Sequence, residues 1–270
     1  MTGTVGFVGL GNIGKPMALR LAGELDLRVH DVVPEPVAEL VAAGATAAGS
    51  VAEVADVEVL CVMVRDDEQV RAVAAQVLAS GAHPVVVVHS TVSPSTPGEL
   101  AALDLRVLDA PVSGGPMGAA DGTLAIMVGG DESAYGAAQP VLERMGSKVV
   151  HAGPLGAGTR MKLARNLIHF VAFTAVTEAQ RLAEASGLDL VALGEVVRHT
   201  DAVTGGPGAI MHRETAAPLD RDDFWWGVMD HVRAIGEKDL DLAVELAGTL
   251  GIDVPLARLA RENLAKGLGL

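Results

Sequence analysis

Along the first 150 residues, short apolar runs alternate with amphipathic stretches. Residues 4–8 and 27–31 read as strands and 13–22 and 34–43 as helices. The second helix has Pro34 at its start, where a missing N–H costs little. Residues 57–64 and 84–88 are unbroken apolar runs, the pattern of parallel strands buried on both faces, and the helix-like stretch 66–78 separates them. Further strands are expected at 106–109, 124–128 and 148–150. Strand and helix in alternation point to a doubly wound α/β sheet.

The character changes after the glycine-rich stretch 153–158. Residues 159–186 contain neither Gly nor Pro, and Gly187 supplies a C-terminal stop. Beyond it, 189–199, 228–250 and 255–266 read as helices. The expected organisation is a nucleotide-type domain over 1–155 and an all-helical domain over 156–270 that begins with a long interdomain helix. That helix carries Met161, Leu163, Leu167, Ile168, Phe170, Val171 and Phe173 around most of its surface. A helix apolar all round must be buried, and so small a helical unit can hardly bury it alone. A homo-oligomer, dimer or tetramer, is expected.

Half the 270 residues are hydrophobic, yet no run approaches the roughly 20 residues needed to span a bilayer. The start, Met1-Thr2-Gly3-Thr4, has no basic leader region. A single cysteine, Cys61, rules out an internal disulfide and suits a reducing compartment, with the cytoplasm as the expected location. The formal net charge of −14 is spread along the chain without a basic stripe. Nucleic-acid partners are not expected, and the acidity reads as solubility. A binder of small anions would have to place its cations locally.

Gly9-Leu10-Gly11-Asn12-Ile13-Gly14 directly follows a strand and opens a helix. The first glycine allows the tight turn, the second lets a diphosphate approach the backbone, and the third lets helix and strand pack closely. Asp31 ends the second strand 20 residues past Gly11, the spacing of a carboxylate that binds a ribose diol. A carboxylate there repels a 2′-phosphate, and Val32, Val33, Pro34 and Glu35 supply no cation to hold one. NAD is therefore favoured over NADP, with Arg65, just after the apolar run 57–64, a cation that weighs against it.

Three other segments carry polar groups. Ser113, Gly114 and Gly115 offer a hydroxyl beside consecutive backbone N–H groups, which suits a carboxylate-binding nest or simply a turn. Lys162 and Asn166 are four apart on the most apolar helix, hence on one face. Such groups need partners or a function, although a lysine can also reach out to solvent. Lys238-Asp239 suits a surface ion pair. No metal site is expected.

Together these segments resemble the β-hydroxyacid dehydrogenases, the group that includes 3-hydroxyisobutyrate dehydrogenase and tartronate semialdehyde reductase. The shared stretches are 6–18, 109–124, 156–166 and 238–240, in order across nearly the whole chain. The resemblance implies a Rossmann domain followed by a helical domain, and NAD(P)-dependent interconversion of a small β-hydroxyacid and its semialdehyde. It implies Lys162 as acid/base and Asn166 as a positioning group. Ser113, Gly114 and Gly115 would bind the substrate carboxylate, and Lys238 would close the site from the helical domain. Val64, Arg65, Gln69 and Thr91 fall at cofactor-contacting positions. A lysine can accept the alcohol proton only if its pKa falls from about 10.4, and burial or a second cation at Lys238 would lower it.

Two departures bear on the substrate. His231 stands where relatives often have an aromatic, and His169 where they are often aliphatic; each can be packed or can line a pocket. The cluster Phe224-Trp225-Trp226 suits core or dimer packing. Imine-reducing relatives generally replace the lysine at 162 with Asp or Tyr, which counts against that alternative. A dinucleotide-binding sensor without turnover would have no use for the combination of Lys162, Asn166 and Ser113.

Overall fold

Six strands, β1 (Val5–Val8), β2 (Leu27–His30), β3 (Thr46–Ala47), β4 (Val59–Val62), β5 (Val85–Val88) and β6 (Arg106–Asp109), lie parallel in the order β3-β2-β1-β4-β5-β6. The strand order reverses between β1 and β4, and ligands of such sheets bind beyond the strand ends at that reversal. The sheet then turns back on itself: β8 (Ala125–Gly129) runs antiparallel to β6 and to β7 (Val112–Ser113), and β9 (Lys148–Gly153) pairs parallel with β8. The structure, a computed structural model, describes residues 3–270. Met1 and Thr2, on which the reading of the chain's start partly rests, lie outside them.

Every residue of β1, β4 and β5 is buried, because helices cover both faces of the sheet. One face packs Phe7, Val29, Cys61 and Val87 beneath α1 (Gly14–Leu19) and α7 (Glu132–Met145). The other packs Val8, Leu60, Val62 and Val88 beneath α3 (Val51–Val54), α4 (Asp67–Ser80) and α5 (Thr96–Ala101). Helix α4 shows how locally the chain is instructed. Asp66 caps it by accepting from Gln69 N–H, Val70, Val73, Ala74 and Val77 form its buried stripe, and Gly81 at φ 74° ends it. Helix α2 (Pro34–Ala42) begins at its proline.

His89, just past β5, is fully buried. Its Nδ1–H donates to Ala110 O at 2.9 Å and its ring stacks over Phe7 with centroids 6.3 Å apart. Burial pushes its pKa down to about 4, against a smaller opposite effect of the Ala110 bond. Between pH 6.5 and about 4 the unfolded chain therefore binds more protons here than the folded one, so stability falls as pH falls through that window. His89→Met should be less acid-sensitive than the parent. Urea unfolding should show about 2 kcal/mol less stability lost between pH 7.5 and 5. Equal losses in both proteins would contradict a neutral, buried His89.

The chain forms two compact units that part between Arg165 and Asn166, inside α8 (Ala157–Ala185). The first turns of this helix thus belong with the sheet, whereas the sequence places the boundary at 155/156. The reason is local: Gly156 and Thr159 N–H both donate to the buried Asp109. The second unit is helical, with α9 (Leu190–Thr204), α10 (Phe224–Thr249) and α11 (Pro255–Leu268) after the remainder of α8. Trp225 and Trp226 pack with Leu219, Met229 and Leu268, while Phe224 stays 80% exposed. Glu178, buried in α8, accepts from Leu256 and Ala257 N–H at 2.8 and 3.0 Å and so caps α11. The apolar surface of α8 is left uncovered in the single chain: Leu167 is 68% and Phe170 58% exposed. Among the described residues no helix is long and apolar enough to cross a membrane.

Candidate active site

Immediately after β1, Gly9 takes φ 92°, and a Cβ there would sit 2.1 Å from Met63 O. A Cβ at Gly14 would sit 2.0 Å from Gly9 O. Only glycine permits either approach. Gly11 differs, with open space where its Cβ would point. That space belongs to a groove of about 680 Å³ at the strand-order reversal, lined by Gly9, Gly11, Asn12, Ile13, Gly14, Asp31, Val64, Arg65 and Gln69. Asp31 braces it: Oδ2 accepts from Leu10 N–H at 2.5 Å and Oδ1 from Val33 N–H at 2.8 Å. Leu10 itself turns its side chain into the core.

These features fit the adenosine diphosphate half of a dinucleotide. Gly11 leaves room for a diphosphate against the backbone, and each Asp31 oxygen keeps a further lone pair for a ribose hydroxyl. Arg65 pairs with Asp66 at 3.0 Å, and its N–H donates to Gln69 Oε1. Thr91 is exposed and does not line the groove. Its neighbour Ser90, which sequence reasoning missed, is buried and clasps the groove wall, accepting from Val64 N–H at 2.9 Å and donating to Val64 O at 2.7 Å.

The second polar constellation of this unit forms where the segment after β6 meets α8. Lys162 is 8% exposed, and its Nζ donates to Val112 O at 2.6 Å and to Ser113 Oγ at 2.7 Å. Burial, and then the charge of Arg165, hold its pKa below the ordinary lysine value. A cation that acts on Lys162 is thus Arg165, one turn along α8 in the same unit. Gly114 and Gly115 follow with φ 135° and 65°. They open α6 (Gly115–Asp121), so the segment read as a turn is a turn leading into a helix. No other side chain meets the Cβ direction of Gly115.

This arrangement is one in which an amine, once neutral, can accept a proton. A neutral amine has two N–H bonds and one lone pair. With both N–H groups directed at Val112 O and Ser113 Oγ, the lone pair is left for an incoming proton. The Ser113 hydroxyl, accepting from Lys162, keeps its own O–H to donate to an anion. Asn166 is half-buried one turn further along the helix, in the second unit. Lys238 also belongs to that unit, in α10, where its Nζ lies 3.0 Å from Asp239 Oδ1 at an exposed position. Asp109, read from the sequence as the end of a strand and the start of the shared stretch 109–124, was given no role of its own. Among the described residues no cluster could hold a metal ion.

Comparison with known proteins gives a consistent set of matches. Residues 4–153 match a family profile described as the NAD binding domain of 6-phosphogluconate dehydrogenase. Residues 156–268 match one described as NAD-binding of NADP-dependent 3-hydroxyisobutyrate dehydrogenase. A crystal structure of a Mycobacterium avium 104 oxidoreductase is 49% identical, with 98% of each chain covered and a TM-score of 0.94. The 3-hydroxyisobutyrate dehydrogenase of Mycobacterium tuberculosis, solved with L-serine, is 35% identical over 100% of this chain and 96% of that one, with a TM-score of 0.68. The NAD-dependent L-serine dehydrogenase of Pseudomonas aeruginosa is 37% identical over 95% of this chain and 89% of its own length.

Proposed function

The chain belongs to the β-hydroxyacid dehydrogenase family, and from that premise we propose that it interconverts a small β-hydroxyacid, 3-hydroxyisobutyrate-like, and its semialdehyde with Lys162 as general acid/base. Its class is oxidoreduction of a hydroxyacid CH–OH group, with an NAD(P)-binding domain. The observation that carries the finer reading is the Lys162 amine, buried and bonded to Ser113 Oγ at 2.7 Å in the same unit as the dinucleotide groove.

Bound nicotinamide would take the hydride from the substrate carbon or return it. The residues of this chain do the rest. In oxidation the Lys162 lone pair accepts the hydroxyl proton; in reduction the ammonium gives it back. Ser113 O–H and the N–H groups of Gly114 and Gly115 hold the carboxylate, so the β-hydroxyl is presented at a fixed distance from it. Asp31 binds the ribose diol and makes NAD the preferred cofactor. The apolar side chains exposed on α8 support assembly as a homodimer or homotetramer, since a second copy would remove them from water.

The direct test follows nicotinamide absorbance with 3-hydroxyisobutyrate, 3-hydroxypropionate, glycerate, 4-hydroxybutyrate and serine, each with both cofactors. Turnover of none of them would end this reading. The anion site has its own test. Ser113→Ala should cost about 1–3 kcal/mol of substrate and transition-state binding, the scale of a bond to a charged group. Methyl-ester and amide analogues should be poor substrates of the parent. Full activity on the esters would move the carboxylate site elsewhere.

A further inference from the structure

Asp109 is completely buried at the end of β6, and its carboxylate faces neither solvent nor the dinucleotide groove. Both oxygens are committed to one task. Oδ1 accepts from Gly156 N–H at 2.7 Å and Oδ2 from Thr159 N–H at 2.6 Å, two of the donors that the start of α8 cannot satisfy internally. The approach is as close as backbone allows. A Cβ on Gly158 would lie 2.1 Å from Met127 O and 2.6 Å from Asp109 O, and one on Gly129 would lie 2.4 Å from Asp109 Oδ1. Three residues past Thr159, Lys162 reaches back to Val112 and Ser113, which follow Asp109 in the chain. One five-residue segment thus grips the helix twice, first by its backbone and then by its lysine.

We infer that Asp109 is a positioning residue, which sets the height and rotation of the first turn of α8 so that the Lys162 amine meets Val112 O and Ser113 Oγ inside the protein. An apolar side chain at 109 would strand two buried N–H groups. Asparagine would turn an NH₂ toward one of them, and donor would face donor. In either case the helix start must shift to find other acceptors, and the lysine shifts with it into better-hydrated surroundings. This inference rests on the reading of Lys162 as acid/base only where turnover is concerned.

The test measures Lys162 itself. Trace acetic anhydride labelling across pH, read peptide by peptide by mass spectrometry, reports each lysine's titration without requiring activity. It would be run on the parent, on the nearly isosteric Asp109→Asn, and on Gly158→Ala, whose added methyl pushes the helix start off the strand ends with Asp109 intact. In the variants the Lys162 midpoint should rise by about one pH unit, a roughly tenfold loss of reactivity at pH 8. Hydroxyacid oxidation should fall in parallel, with the NADH dissociation constant unchanged. Should one variant fail to fold, the other carries the test. A folded variant with a lower melting temperature but an unmoved Lys162 midpoint would overturn the inference, because the clamp would then serve stability alone. Full turnover by Lys162→Ala would instead overturn the proposed function while the labelling result still decided the role of Asp109.

Discussion

Lys162→Ala should bind NADH as the parent does and turn over at least about a hundredfold more slowly, the usual scale for losing general acid–base help. The two halves of that result come from different parts of one unit. The groove is lined by Gly9, Gly11 to Gly14 and Asp31, whereas the bonds of the Lys162 amine go to Val112 and Ser113. Truncation removes the lone pair and leaves a small void beside Ser113, far less disturbance than unfolding a strand. Lys162→Arg should be nearly as slow, since a guanidinium stays protonated and cannot accept the alcohol proton. The pH dependence has a defined sign. Burial and Arg165 lower the lysine's pKa below 10.5, so the neutral base becomes available earlier on the alkaline side than for an exposed lysine. Oxidation in the parent should rise with pH through that lowered value, and reduction, which needs the ammonium, should fall. Stopped-flow fluorescence for NADH and steady-state absorbance for turnover separate binding from chemistry. Turnover within a few-fold of the parent at every pH would make the lysine structural.

The cofactor preference should reverse or vanish in Asp31→Ser/Val32→Arg. Asp31 holds the fingerprint turn through Leu10 N–H and offers its remaining lone pairs to the groove. Its removal costs the ribose diol a bond to a charged acceptor, about 1.5–3 kcal/mol, or roughly ten- to a hundredfold in affinity for NAD. Val32 next to it is 92% exposed, so an arginine there has room to reach a 2′-phosphate. The ratio of kcat/KM for NAD to that for NADP measures the change. A parent protein that already used NADP as well as NAD would show that Asp31 does not govern the choice.

Much of this was legible in the sequence because the relevant signals are local. Val85 to Val88 could hardly be other than a doubly buried strand, and Gly9, Gly11 and Gly14 announce close backbone approaches that the structure contains. The turn-to-helix transition at Gly115 and helix α7 were not read. The first starts from two glycines in left-handed backbone, the second holds Gly136 and Pro140 in its interior, and both patterns read as breakers. The largest gap concerned contacts between distant residues. Nothing in the spacing from Asp109 to Thr159 or from Ser90 to Val64 declares a hydrogen bond, since such pairings exist only once the sheet has ordered its strands. Arg165, whose charge acts on Lys162 from three residues away, went unremarked although helical periodicity places it near.

Glu178 gives the second unit a particular order of assembly. Its carboxylate lies in α8, and the two N–H groups that neutralise its burial belong to residues 78 and 79 positions later in the chain. Packing α8 in its final environment without α11 would leave that carboxylate buried without these two donors. Closing so long a loop is slow compared with forming any one helix. The helical unit should therefore consolidate in a single late step, with α11 acting as the latch. Partial unfolding should begin by its release.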